Sequence, residues 1–206
     1  MNEETAAANL AVIRTLMERS AVYRRALVPI LFTAGTVAVL AAILGSLGRV
    51  ETARAFFHYW SVVALVVLAM AFGLARRQAS RDQEAFWSAP TRRIAQAMAL
   101  PLFAGAILSC LLADRATEWG TNAMIGMWLL MYGCALHAAG FFAPRGMQVL
   151  GWVFALAGAG YVAAGSLGQA RITPGIAHAI MALSFGGFHL AYAIYLKATG
   201  NGPADA

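Results

Sequence analysis

The chain has 206 residues, of which 61% are hydrophobic and 12% charged, and its formal charge is +6. Soluble domains carry roughly 25% charged residues, so this composition excludes an ordinary water-soluble globule and calls for lipid. The basic residues fall in gaps between apolar runs instead of gathering in one patch, which excludes a nucleic-acid surface as the reason for the charge.

Residues 1–25 open the chain. Glu3 and Glu4 precede Thr5 and an alanine run, a composition that suits a helix start. Leu10, Ile13, Met17 and Ala21 recur at spacings of three and four and make one apolar stripe. Arg14 and Glu18, four apart, can pair on the helix surface. The segment reads as a short amphipathic helix on the cytoplasmic membrane surface. Its polar face, with Arg14, Glu18 and Arg19, is the candidate docking surface for a cytoplasmic protein partner.

Six apolar runs follow, Ala26–Leu47, Phe56–Ala75, Ile94–Ala113, Thr121–Phe142, Met147–Leu167 and Gly175–Leu196. Each has 20 to 22 residues and no lysine, arginine, aspartate or glutamate. At ~1.5 Å per residue each can cross a hydrocarbon core of ~30 Å. Backbone groups in that core must bond internally, which dictates helix. The expected fold is all-α: a six-transmembrane-helix membrane domain over 26–197, preceded by the leader and followed by a disordered tail, 198–206. The first run is too long for a signal-peptide core and reads as an uncleaved anchor. With the N-terminus in the cytoplasm, eleven of the fifteen basic residues lie on the cytoplasmic side and four (Arg49, Arg54, Arg115 and Arg171) on the other. That bias predicts both termini in the cytoplasm.

The segment Arg76–Arg93 is the only sizeable connection expected. Phe86 and Trp87 fit an interfacial anchor, and Pro90 suits the start of the next helix. The other connections are short, which favours antiparallel neighbours. Cys110 and Cys134 fall within spans, form no CxxC, and read as small packing residues.

Spans four and five carry glycines at seven-residue intervals: Gly126, Gly133 and Gly140, then Gly151, Gly158 and Gly165. Each set lines one face, about two turns apart. Folding the chain at Pro144 and Gly146 sets Gly140 against Gly151, Gly133 against Gly158, and Gly126 against Gly165. Lipid gives helices no hydrophobic drive to associate, so close backbone contact through glycine predicts a tight helical hairpin.

No carboxylate or lysine lies near the centre of any span. Ion-coupled transporters often place such groups there. The histidines are the polar candidates. His178 and His189 are eleven apart and share a face, and His137 and His189 are expected at similar depth in one leaflet. His178 and His58 lie near the opposite boundary. One histidine pair per leaflet is the pattern in which histidine ligates haem b, and His137 with His189 could meet a metal. Each histidine could equally bond a neighbouring helix, as could Tyr132, Tyr161, Tyr192 and Tyr195. No HExxH, GxSxG or phosphate-cradling loop appears, and Ser109, Ser166 and Ser184 lack a histidine and acid in recognisable order.

The stretch Ile13-Arg14-Thr15-Leu16-Met17-Glu18-Arg19-Ser20 with Tyr23, and the stretch Gly140-Phe141-Phe142-Ala143-Pro144-Arg145-Gly146 followed by Leu150-Gly151-Trp152, resemble a group of small bacterial multi-pass membrane proteins of unknown function. The resemblance implies a bacterial inner-membrane location. It brings no substrate, cofactor or catalytic residue. The reading is a non-enzymatic structural or regulatory interaction protein with no cofactor assigned. Its alternatives are a small-solute transporter or channel, and a histidine-ligated haem or metal redox protein.

Overall fold

The computed structural model describes residues 26–113, 118–166 and 173–200. The leader, with Arg14, Glu18 and Arg19, and residues 201–206 lie outside the described residues. Helix α1 spans Ala26–Leu47, α2 Ala53–Arg81, α3 Ala89–Ala113, α4 Glu118–Ala139 and α5 Gly146–Ser166. The last rod is α6, Pro174–Met181, which widens into a π-helical segment, Ala182–Phe188, and continues as α7, His189–Gly200. Among the described residues six helices are long and apolar enough to cross a membrane. The chain is an all-α, multi-pass membrane bundle. Residues 198–200, expected in the tail, belong to α7.

Local chemistry explains the helix ends. At the end of α1 the Val50 amide bonds back to the Gly45 carbonyl at 3.1 Å, and Arg49 takes the left-handed conformation, φ 52°. This is a Schellman turn with arginine where glycine is usual. Thr52 then caps α2, its Oγ1 accepting from the Ala55 amide at 3.2 Å. At its far end α2 repeats the Schellman device, with Glu84 N to Ala79 O at 2.9 Å and Gln83 at φ 55°.

The connection expected over Arg76–Arg93 shortens to residues 82–88. Arginine, glutamine and alanine after the apolar run are good helix formers and carry α2 on in water. Gln78 Nε2 also donates to Asp82 Oδ2 at 2.9 Å. Pro90 occupies the second position of α3, where its missing amide costs nothing. In the loop Phe86 packs edge-on against Phe72 of α2, and Trp87 is exposed.

Burial is uneven. The core is built by α1, α4, α5 and the α6–α7 rod, with Phe56 and Trp60 from the start of α2. The span windows of α2 and α3 are 11% buried, against 28–44% for the other four. Helix α3 lies along α4, where Trp128 Nε1 donates to Ser109 Oγ and that hydroxyl donates to the Gly105 carbonyl at 2.6 Å. Beyond Trp60, α2 is only partly covered: Val63 still packs against the core, none of residues 61–81 is fully buried, and Leu65, Leu68 and Phe72 are exposed. Cys110 and Cys134 are also exposed, so they are not the packing residues expected of them.

Candidate functional site

The glycine hairpin forms, in a different register. A methyl group on Gly133 would lie 2.7 Å from the Gly151 carbonyl, and one on Gly158 would lie 2.8 Å from the Gly126 carbonyl. Gly140 meets Gln148, and nothing lies within 4 Å of Gly165. The expected partners Gly140 with Gly151, Gly133 with Gly158 and Gly126 with Gly165 are therefore each displaced by one seven-residue interval. The cause is the turn. Helix α4 stops at Ala139, with the Gly140 amide closing on Leu136 and His137, so the fold axis moves toward the N-terminus.

Two histidines are buried, and each is held at both ring nitrogens. In α7, His189 Nδ1 lies 2.6 Å from the Phe185 carbonyl, which can only accept, so Nδ1 carries the proton. Its Nε2 then accepts from the Tyr132 hydroxyl of α4 at 2.8 Å. Phe154, Phe185 and Tyr132 surround the ring at 5.3–6.4 Å between centroids. The π-helical widening is closed by side chains: Ser184 Oγ donates to the Ile180 carbonyl at 2.7 Å, and His189 serves Phe185 in the same way.

His178 has the opposite tautomer. Its Nε2 donates to the Val50 carbonyl at 3.3 Å, and Nδ1 accepts from Trp60 Nε1 at 3.2 Å. Phe56 and Tyr59 flank the ring. Gly45 makes the fit possible, since a methyl there would lie 2.5 Å from His178 Cε1. Above this ring is a cleft of about 260 Å³ lined by Ser46, Arg49, Glu51, Gly175 and His178 among others. It opens where α1, α2 and α6 end. The backbone between Arg49 and Glu51 is pinned on both sides, the Val50 amide by Gly45 and its carbonyl by His178.

The expected histidine pairs do not form. His58 is exposed, while Phe56 and Trp60, two residues before and after it, are buried against His178. Residues two apart on a helix face opposite ways, so His58 points away from His178. His137 packs edge-on against Phe141 and Trp152, and its Nδ1 is buried without a hydrogen bond. An axial ligand must turn an unprotonated ring nitrogen to the iron. At His189 that nitrogen accepts from Tyr132, and at His178 from Trp60. Among the described residues no group of three or more His, Cys, Asp or Glu is placed to hold a metal ion. The tyrosines do bond across helices: Tyr132 to His189, and Tyr161 to Asn122 Oδ1 at 3.2 Å.

Sequence reasoning missed Gly35, Gly45 and Gly186. A methyl on Gly35 would lie 2.9 Å from the Gly186 carbonyl, which fixes α1 against the π segment. Each stands outside the seven-residue series, so no period marked them. The Arg49–Glu51 turn lies in one of the short connections, where no motif marks it. Its signal was two opposite charges flanking one apolar residue between a glycine and a helix-capping threonine. No family model, curated protein or solved structure matches the chain.

Proposed function

We propose that this is a non-enzymatic interaction protein of the bacterial inner membrane, with both termini in the cytoplasm, and that α2 is its membrane-embedded contact surface. The observation that carries the reading is the shallow burial of α2 beyond Trp60. A 29-residue helix with Ala53, Phe56 and Trp60 as its buried residues contributes little to the core. Its remaining face presents Leu65, Leu68 and Phe72 as exposed apolar side chains. Small-residue packing elsewhere gives a rigid frame on which such a helix is displayed. The buried histidines support the same reading, since their ring nitrogens are occupied in holding helices together. The eleven-to-four charge bias and the two resembling stretches support the location and orientation.

Photo-crosslinkers at Leu65, Leu68 and Phe72, and at Arg14 and Glu18 of the leader, test this in native membranes. Discrete protein adducts from α2, identified by mass, are the expected result. Adducts from the leader alone would move the interface to the cytoplasm. Lipid adducts alone at every position would refute the interaction role.

The cleft beside His178 favours a second reading, in which the protein binds a small solute.

A further inference from the structure

We infer that the cleft between the α1–α2 turn and the start of α6 is a binding site for a small zwitterion, an acidic group carried with a primary ammonium. This rests on the solute-binding reading of the same cleft, which it deepens, and does not depend on the contact surface of α2.

Three observations bear on the site. The first is a cavity of about 260 Å³, large enough for a molecule of amino-acid size, at the boundary where three spans end. The second is the pair of opposite charges that line it. Arg49 and Glu51 are both exposed, and among the described residues neither makes a salt bridge. A simple anion would meet Glu51 as a repulsion, and a simple cation would meet Arg49. A ligand with both signs satisfies both, with the guanidinium on the acid and the carboxylate on the ammonium. A quaternary amine lacks the N–H donors that Glu51 would accept.

The third observation is preorganisation. Val50, between the two charges, is held by Gly45 through its amide and by His178 through its carbonyl. Trp60 fixes the His178 tautomer that makes this bond. Arg49 sits in a left-handed position that residues with a Cβ rarely adopt. Gly48 stands one residue earlier and does not take that position. The turn thus keeps an arginine at the cleft where glycine would be less strained. A backbone already fixed loses little freedom when a ligand arrives. His178 is a positioning residue in this scheme, since both of its nitrogens are occupied.

The shared chemistry has two sources, a free aminoacid-type solute or the headgroup of an aminophospholipid. The full chain in phosphatidylcholine nanodiscs is titrated calorimetrically with glycine, β-alanine and glycerophosphoethanolamine, with acetate and ethylammonium as single-charge controls. A parallel set of discs contains phosphatidylethanolamine and is melted without solute. At least one zwitterion is expected to bind saturably and roughly tenfold tighter than either control, or the phosphatidylethanolamine discs to raise the melting temperature. The first outcome identifies a free solute and the second a headgroup. Arg49→Gln and Glu51→Gln should each remove the effect, and Arg49→Lys should keep part of it. Both positions are exposed, and ligand-free melting in phosphatidylcholine confirms that the variants fold. No preference for a zwitterion in either arm, or binding that survives both neutral variants, would overturn the site.

Discussion

Tyr132 of α4 donates its hydroxyl to Nε2 of His189 on α7, and the other nitrogen of that ring closes the π-helical segment at Phe185. One side chain thus joins two helices and repairs an irregular turn. Tyr132→Phe leaves the acceptor unpaired in an aromatic cage. A loss of about 1 kcal/mol is expected in reversible unfolding from mixed micelles. A double-mutant cycle with His189→Asn isolates the coupling. Additive losses would show that the pair does not couple.

The hairpin register separates two glycines that look alike in sequence. A methyl on Gly158 would lie 2.7 Å from the Leu130 amide nitrogen, while Gly165 faces open space. Gly158→Ala should destabilise the bundle by about 1–3 kcal/mol, since backbone cannot yield as a side chain can. Gly165→Ala should be neutral or slightly stabilising, because alanine is the better helix former. Equal losses at both positions would restore the register expected from spacing alone.

The bond from Trp60 to His178 reaches the α1–α2 turn. Trp60→Phe keeps the aromatic packing and removes the donor to Nδ1, freeing the ring to change tautomer and release the Val50 carbonyl. Hydrogen exchange should then quicken across residues 48–52 and remain unchanged in the α4–α5 hairpin. Uniform quickening across both regions would mean that Trp60 acts through general stability.

Orientation is checked at the 82–88 loop. A single cysteine at Glu84, with Cys110 and Cys134 replaced by serine, should react with a membrane-impermeant thiol reagent only after the cytoplasmic face is opened. Labelling of intact cells would reverse the topology.

Much of this architecture was legible because lipid imposes one rule on every span, that apolar length marks the helix. The first run, Ala26–Leu47, has the same limits as α1. Helix ends in water were less legible: α2 runs past Ala75 to Arg81 because arginine and glutamine sustain a helix without being apolar. Glycine spacing revealed the faces of α4 and α5, but register depends on where the turn closes, and Gly140 had been counted inside the span. The histidines showed the same division. The sequence marked His58, His137, His178 and His189 alike as polar candidates and did not single out the buried His178 and His189. Their partners came from Trp60, Val50, Tyr132 and Phe185, brought close by folds of the chain that no local pattern encodes.

Helix α2 is most deeply buried at one end. Its buried residues, Ala53, Phe56 and Trp60, all lie in the first eight of its length. The stretch from Ser61 to Arg81 continues for about 30 Å with no fully buried residue. At that deep end Trp60 donates to His178, whose other ring nitrogen holds the Val50 carbonyl. The residue that seats α2 in the core is therefore also the one that, through His178, holds the turn carrying Arg49 and Glu51.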